Sequence, residues 1–235
     1  MSKSYAIIDF DDTLVDTFSF KEDLVSAVKK NDLYKGLIKD VFNKAPHYLN
    51  ANKFVFSYTS FFKMIRAGNQ YKNERLDNLE KDFNQLLKSF DRYTFPGSID
   101  FLKKLIQEVK AEIIIFSYGE SAFQKAKIKH SRLIEKVIQD DSNKIQVVIS
   151  PIDKEKNILK LVQGKASKTG FFINDKIKEN QAIKKVIDKK GLDLKVITKI
   201  PYFKEEAQKI KGIYQFRDFL EILLFIKDQL NLTIK

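Results

Sequence analysis

The sequence of 235 residues contains no cysteine. This absence excludes disulfide bonds, zinc–thiolate sites and catalysis by a thiol nucleophile, and it fits a reducing compartment. Histidine is nearly absent too, since His47 and His130 are the only two, and neither lies at a useful spacing from a nucleophile or a second ligand. Any chemistry therefore has to come from other side chains.

Long apolar runs are also missing. The run from Tyr5 to Ile8 is far too short for the hydrophobic region of a secretory signal. The run from Phe219 to Ile226 is interrupted by Glu221 and falls well short of the roughly 20 residues that cross a bilayer. We therefore expect a cytoplasmic, soluble protein with no membrane partner.

Acidic residues are outnumbered by basic ones, 31 against 43, which gives a formal net charge of +12. Such a charge attracts phosphate-bearing partners, nucleic acid among them. The lysines are spread along the whole chain, however, and form no single cluster with interleaved aromatic residues. We interpret them mainly as the solvent faces of helices and do not expect nucleic acid as the main partner.

Five short runs are rich in β-branched and aromatic residues and show no clean alternation, as is typical of strands covered on both faces. Apolar residues at helical spacing, as in residues 99–109 and 158–162, lie between them. We therefore predict an α/β fold, a Rossmann-like parallel sheet with helices on both faces. The predicted strands are Ser4 to Asp9, Ala111 to Ser117, Ile145 to Ser150, Thr169 to Asn174 and Leu194 to Thr198.

The stretch from Thr17 to Tyr93 has helical periodicity and no series of strands. Its length allows a small helical domain inserted between the first strand and the rest of the sheet. We therefore predict a core formed by residues 1–16 and 94–235 and an all-helical cap formed by residues 17–93. Within the cap, Lys53 and Arg66 are candidate substrate contacts, whereas the phenylalanines of residues 54–62 are expected in the core.

Polar residues follow several predicted strands, and ligands of open parallel sheets bind outside the carboxyl ends of the strands. Asp9 and Asp11 lie two residues apart where the first strand ends, and carboxylates this close repel each other unless a cation lies among them. Mg²⁺ binds through one or two carboxylates, water and a substrate phosphate. We predict that Asp9 and Asp175 meet at the sheet edge as Mg²⁺ ligands, that Ser117 donates a hydrogen bond to a phosphoryl oxygen, and that a lysine after the third strand adds positive charge.

This arrangement resembles the haloacid dehalogenase-like (HAD) hydrolases. Their first motif, an apolar strand followed by DxDxT, is matched by Asp9, Asp11 and Thr13. Their second motif, an apolar strand ending in Ser or Thr, is matched by Ser117. Their third is a lysine near a helix start, and their fourth is an apolar strand followed by acidic residues, matched here by Asp175. The resemblance covers nearly the whole chain except the cap, and it implies a HAD-like core with a helical cap inserted after the first motif.

The resemblance also implies a role for each residue. Asp9 would be the nucleophile that forms an aspartyl-phosphate intermediate. Asp11 would protonate the leaving oxygen and then deprotonate the attacking water, while its backbone carbonyl binds Mg²⁺. Thr13 would steady the loop and belong to the phosphate-binding residues. An acid at position 11 favours phosphate esters, because relatives that cleave carbon–halogen or carbon–phosphorus bonds generally lack it.

The third motif leaves two candidates open. Lys154 precedes Ile158 by four residues, the spacing at which related chains start their helix, and a place near a helix N-terminus would add partial positive charge. Lys156 is the alternative.

Other parts of the motifs also differ from the common family pattern. Tyr118 and Gly119 stand where relatives often have Asn-Gly, and their backbone amides can bind phosphate equally well. Asp12 takes a turn position where relatives often have Gly. In the fourth motif Asn174 supplies no charge, and Glu179, four residues after Asp175, is expected at most to orient a metal-bound water.

From the sequence we expect a Mg²⁺-dependent phosphomonoesterase that acts on a small phosphorylated metabolite. One alternative is a phosphosugar mutase of the same family, which returns the phosphoryl group to sugar. The other is a non-catalytic HAD-like protein that binds nucleic acid or a protein partner through its basic surface. The sequence identifies neither the substrate nor the oligomeric state.

Overall fold

The computed structural model of the chain describes residues 4–33, 58–67, 72–138, 145–150, 154–165, 167–201 and 210–232. The strands are β1 (Ser4–Asp9), β2 (Glu112–Tyr118), β3 (Ile145–Ser150), β4 (Thr169–Asn174), β5 (Leu194–Lys199) and β6 (Ile213–Phe216). They form one parallel sheet in the order β3-β2-β1-β4-β5-β6. The predicted parallel α/β sheet is confirmed, with β6 as an additional edge strand.

The helices surround this sheet. They are α1 (Thr17–Lys30), α2 (Tyr58–Ala67), α3 (Asn73–Lys88), α4 (Ser98–Gln107), α5 (Ser121–Ser131), α6 (Leu133–Val137), α7 (Lys154–Val162), α8 (Ile177–Lys190) and α9 (Phe219–Gln229), with a 3₁₀ helix at Phe90–Tyr93. None of the helices described is both long and apolar enough to cross a membrane.

Strand β1 lies in the middle of the sheet, and all six of its residues are buried. Its side chains alternate between the two faces, because successive residues of a strand point to opposite sides. Ala6 and Ile8 join the apolar cluster that includes residues of α4 and α9. Tyr5 and Ile7 join the other cluster, which includes residues of α7 and α8. Helices therefore cover both faces of the sheet, as the sequence predicts.

Phe20 on α1 packs between the helical insertion, residues 17–93, and the rest of the fold. Its ring lies 6.1 Å from that of Phe83 on α3, 5.0 Å from that of Phe90 and 6.4 Å from that of Phe123 on α5, measured between ring centroids. Phe20 belongs to the same apolar cluster as Ile8 of β1. The buried apolar side chains thus run without a break from the insertion to the sheet, and the division into a core and a separate cap stays a prediction.

Within the helical insertion, Phe61 and Phe62 are both buried, as expected of core residues. The ring of Phe62 lies 6.0 Å from that of Phe83. Lys53, His47 and the remaining phenylalanines of residues 54–56 lie outside the described residues.

Candidate functional site

Strand order brings the predicted site residues to one edge. β1 has β2 on one side and β4 on the other, and Ile8 is level with Ile173 of β4. Asp9, the last residue of β1, therefore lies beside the end of β4, where Asp175 follows directly. Asp9 is level with Phe116 of β2, so that Ser117 lies one residue further along the neighbouring strand. β2 and β4 lie on opposite sides of β1. The crevice outside the carboxyl ends of such strands is the usual place of a ligand in an open parallel sheet.

Lys154 makes direct contact with the predicted nucleophile. Its Nζ lies 2.7 Å from Asp9 Oδ1, and both side chains are almost completely buried. Lys156, in the same helix turn, is exposed. The structure therefore places Lys154, rather than Lys156, in the site.

Two more groups hold the Lys154 ammonium from the other side. Nζ lies 3.2 Å from Glu179 Oε2 and donates to Asn174 Oδ1 at 3.2 Å. Asn174 is itself fixed, because its Nδ2 donates to Asn180 Oδ1 at 3.0 Å and Asn180 donates back to the Asn174 carbonyl at 3.1 Å. Asn174 and Glu179 thus both contact the Lys154 ammonium that reaches Asp9.

Glu179 is charged in this setting. Burial would raise its pKa, but the ammonium groups of Lys154 and Lys176 outweigh burial and hold the pKa below its usual value. The Lys176 Nζ lies 3.6 Å from Glu179 Oε1. Glu179 is thus ion-paired with two lysines, and its predicted contact with a metal-bound water stays a prediction.

The Asp9 carboxyl group is buried and lies near a second acidic group, that of Asp175. Burial, with a smaller contribution from the charge of Asp175, raises the pKa of Asp9 to about 7, although Lys154 and Lys176 act in the opposite direction. While Oδ1 accepts from Lys154, Oδ2 is buried without a hydrogen-bond partner among the residues described. A buried carboxylate oxygen with no donor is an atom suited to a cation or a reacting phosphorus.

Asp11 has a lysine partner that the sequence did not indicate. Lys127 on α5 is ion-paired with Asp11 Oδ1, and Thr17 Oγ1 donates to the same oxygen at 2.6 Å. Burial would raise the pKa of Asp11, but the Lys127 charge and these two hydrogen bonds lower it below its usual value. A signal for Lys127 does exist, because it lies four residues after Phe123 and therefore on the same, buried face of α5.

The loop after β1 turns tightly at Asp12. Asp12 has φ of 58°, in the left-handed region that favours glycine, and its Oδ1 accepts from the Phe18 amide at 3.1 Å. Asp16 accepts from the Ser19 amide at 2.9 Å and so caps the start of α1. This cap brings Thr17, the first residue of α1, within reach of Asp11.

Two residues predicted to bind phosphate, Thr13 and Ser117, have buried hydroxyl groups. The hydroxyl oxygens of Thr13 and Ser117 have no hydrogen-bond partner in the described part of the chain, and both residues are fully buried. Unsatisfied buried hydroxyls lose free energy unless a ligand or water completes them. Ser117 therefore remains a candidate donor to a phosphoryl oxygen.

The segment after β2 is held by backbone contacts. The Gly119 amide donates to the Ser150 carbonyl at 3.0 Å, and the Tyr118 carbonyl accepts from Gln124 Nε2 at 3.0 Å. A Cβ at Gly119 would lie 2.5 Å from that Nε2, so glycine permits the close approach. Because the Gly119 amide is occupied in this conformation, phosphate binding by Tyr118 and Gly119 stays a prediction.

Arg66, the candidate substrate contact of the insertion, is paired within the insertion itself. Its Nη2 lies 2.7 Å from Asp77 Oδ1 and 2.7 Å from Glu80 Oε2, both on α3. A contact of Arg66 with substrate stays a prediction.

The two side chains predicted as Mg²⁺ ligands lie at the end of β1 and directly after β4. In the described ranges, no three acidic or histidine side chains are close enough to hold a metal ion by themselves. Mg²⁺ needs fewer, since it keeps waters and binds substrate phosphate. Asp9 and Asp175 are the two predicted carboxylate ligands, and the unpartnered Asp9 Oδ2 fits such an ion. The backbone carbonyl of Asp11 would be its third protein ligand.

Comparison with known proteins yields structural matches only. No protein-family model matches the sequence, and a search of curated proteins finds no match. A HAD-like hydrolase from Burkholderia xenovorans LB400 aligns at a TM-score of 0.71 and 18% identity, over 98% of this chain and 99% of its own.

Two further solved structures match over similar lengths. The HAD-hydrolase YfnB from Bacillus subtilis, bound to magnesium, aligns at a TM-score of 0.57 and 15% identity, over 96% of this chain and 99% of its own. A HAD family hydrolase from Deinococcus radiodurans R1 with bound phosphate and sodium aligns at 0.55 and 11%, over 98% of both chains. Dehalogenases are also among the matches. At these identities the likeness shows the fold.

Proposed function

We propose that this chain, which has the HAD-like hydrolase fold, is a Mg²⁺-dependent phosphomonoesterase acting on a small phosphorylated metabolite. The main support is one observation: Asp9 is buried at the sheet edge with Oδ1 on Lys154 and Oδ2 without a partner among the described residues, while a second acid, Asp11, follows two residues later. Matching folds that hold magnesium, or phosphate and sodium, are consistent with this assignment.

The proposed reaction has two steps. Asp9 attacks phosphorus, the bond from phosphorus to the ester oxygen breaks, and Asp11 gives its proton to that oxygen. Asp11 then takes a proton from water, which attacks phosphorus, releases phosphate and regenerates Asp9. A phosphate ester beside Asp11 favours the protonated acid by like-charge repulsion.

Lys154 and Ser117 would bind the phosphoryl oxygens during both steps. Lys154 is already held 2.7 Å from Asp9 Oδ1, so its charge lies where the phosphoryl group must arrive. Ser117 offers a buried hydroxyl. Mg²⁺, when bound by Asp9, Asp175 and the Asp11 carbonyl, supplies further charge neutralisation of the phosphoryl group.

The first test is phosphate release from 4-nitrophenyl phosphate with and without Mg²⁺. We expect Asp9→Asn to lower the rate at least about 10³-fold, because it removes the nucleophile. Asp228→Asn, an exposed position at the end of α9, is the matched control and should keep the wild-type rate. Chelation with EDTA should abolish activity and Mg²⁺ should restore it. Equal rates for wild type and Asp9→Asn would refute the nucleophile, and full activity in EDTA would refute the metal.

Two alternatives are separated by their products. A phosphosugar mutase keeps both aspartates, but free phosphate accumulating in step with substrate loss would exclude it. A dehalogenase is considered because dehalogenases match the fold. Asp11 argues against it, and halide release from a 2-haloacid is the test. A non-catalytic binding protein predicts no turnover in any of these assays.

A further inference from the structure

Lys127 is a buried lysine outside the residues to which the mechanism assigns a task. It lies on α5, its side chain is 3% exposed, and its Nζ is bonded to Asp11 Oδ1. Three aromatic rings surround the ammonium, with centroids 5.8 Å away for Phe10, 5.9 Å for Phe90 and 5.2 Å for Phe123.

Such a placement has a free-energy cost unless it is well compensated. A buried ammonium loses its hydration, and ring faces offset only part of that loss. Within the described ranges Asp11 is the one carboxylate paired with Lys127. The lysine and the acid therefore hold each other, and the rings of Phe10, Phe90 and Phe123 limit where the ammonium can go.

Both donors to Asp11 use the same carboxylate oxygen. Lys127 Nζ and Thr17 Oγ1 bond to Oδ1, and they come from two different helices, α5 and α1. Among the residues described, no donor bonds to Asp11 Oδ2. The carboxylate is thus anchored through one oxygen, and the other is left for proton transfer.

We propose that Lys127 is a positioning residue that fixes Asp11 with Oδ2 directed to the leaving group. This inference rests on the proposed phosphatase function. Lys127 has no contact with the reacting atoms in this arrangement, and it acts through the orientation of Asp11. The loss of kcat/KM on removing Lys127 should therefore be larger for a leaving group that needs a proton more. A lysine that only stabilises the fold would lower the rate for all leaving groups alike.

Two aryl esters give the required readout. Phenyl phosphate and 4-nitrophenyl phosphate have similar shapes, but the phenolate leaving group needs a proton far more than 4-nitrophenolate. The ratio kcat/KM reports the first step, in which Asp11 acts as the acid. General acid catalysis contributes roughly 10²–10⁴-fold, so we expect Lys127→Met to lower kcat/KM at least about tenfold for phenyl phosphate and less than about threefold for 4-nitrophenyl phosphate.

Three further variants are compared with Lys127→Met. Asp11→Asn should show the same selectivity with a larger loss. Lys125→Met changes an exposed lysine of the same helix and should leave both esters at the wild-type rate. Thr17→Val removes the second donor to Oδ1 with little change of shape and should repeat the Lys127→Met pattern. If circular dichroism shows that Lys127→Met does not fold, Thr17→Val tests the anchoring of Asp11 in its place.

The outcomes distinguish a failure of the positioning role from a failure of the phosphatase function. Equal losses for both esters, or an unchanged or higher rate for phenyl phosphate, would overturn the positioning role while the phosphatase function stands. A wild-type protein that hydrolyses neither ester would refute the phosphatase function itself, and the positioning role with it.

Discussion

Lys199 shows how much the neighbourhood of one residue can shift its chemistry. It is completely buried at the end of β5, with its Nζ 4.1 Å from the ring centroid of Phe95 and 5.0 Å from that of Phe219. Burial lowers the pKa of Lys199 to about 8, although the charges of Asp175 and Asp12 favour the ammonium. Nothing in the local sequence distinguishes this lysine from the many exposed ones.

The lowered pKa predicts a pH-dependent cost of Lys199. Below about pH 8 the lysine is charged in both the folded and unfolded states, so folding includes the full cost of burying the ammonium. As the pH rises toward the unfolded value of roughly 10.5, the folded protein binds fewer protons than the unfolded one, and the cost disappears. Relative to Lys199→Met, wild type should therefore gain on the order of 2 kcal/mol between pH 7 and pH 10.5.

Urea unfolding of wild type and Lys199→Met at both pH values measures this gain. Lys195→Met, which replaces a partly exposed lysine of the same strand, controls for the loss of a lysine side chain as such. A constant difference between wild type and Lys199→Met would contradict the prediction.

At the scale of elements, local patterns predict the central strands well. β1 and β4 are continuous apolar runs, because both faces of the sheet are covered, and their predicted bounds are confirmed. The sequence does not predict β6, because this strand has only four residues and lies at the sheet edge, where only one of the four is buried. A strand this short carries too little periodicity to be distinguished from a loop.

Packing between elements centres on Phe20. Its side chain on α1 contacts α3, α5 and the 3₁₀ helix, so we expect Phe20→Ala to destabilise the fold by about 3–5 kcal/mol, the usual cost of a large buried cavity. Phe18 is the matched control on the same helix turn, since it is 48% exposed and its replacement by alanine should change stability by less than about 0.5 kcal/mol. Chemical denaturation measures both. Equal effects would show that Phe20 does not join these helices.

For the whole molecule, the net charge of +12 should assist capture of an anionic ester. Charges separated by more than about 10 Å are largely screened at 0.1 M salt. If the protein is a phosphatase, kcat/KM for 4-nitrophenyl phosphate should fall several-fold between roughly 0.02 and 0.5 M NaCl, while kcat changes little because saturation removes the encounter step. A kcat/KM that does not respond to salt would show that the basic surface serves another purpose.

By itself the sequence determined the parallel sheet, the helical insertion, and the pair Asp9 and Asp11 at the end of the first strand. These features are local, since hydrophobic periodicity and a five-residue motif can be read within one segment. Only the tertiary structure decided that Lys154 rather than Lys156 reaches Asp9, and that Lys127 anchors Asp11. Lys127 and Asp11 are 116 residues apart, and only the packing of α5 against the edge of the sheet brings their charges together.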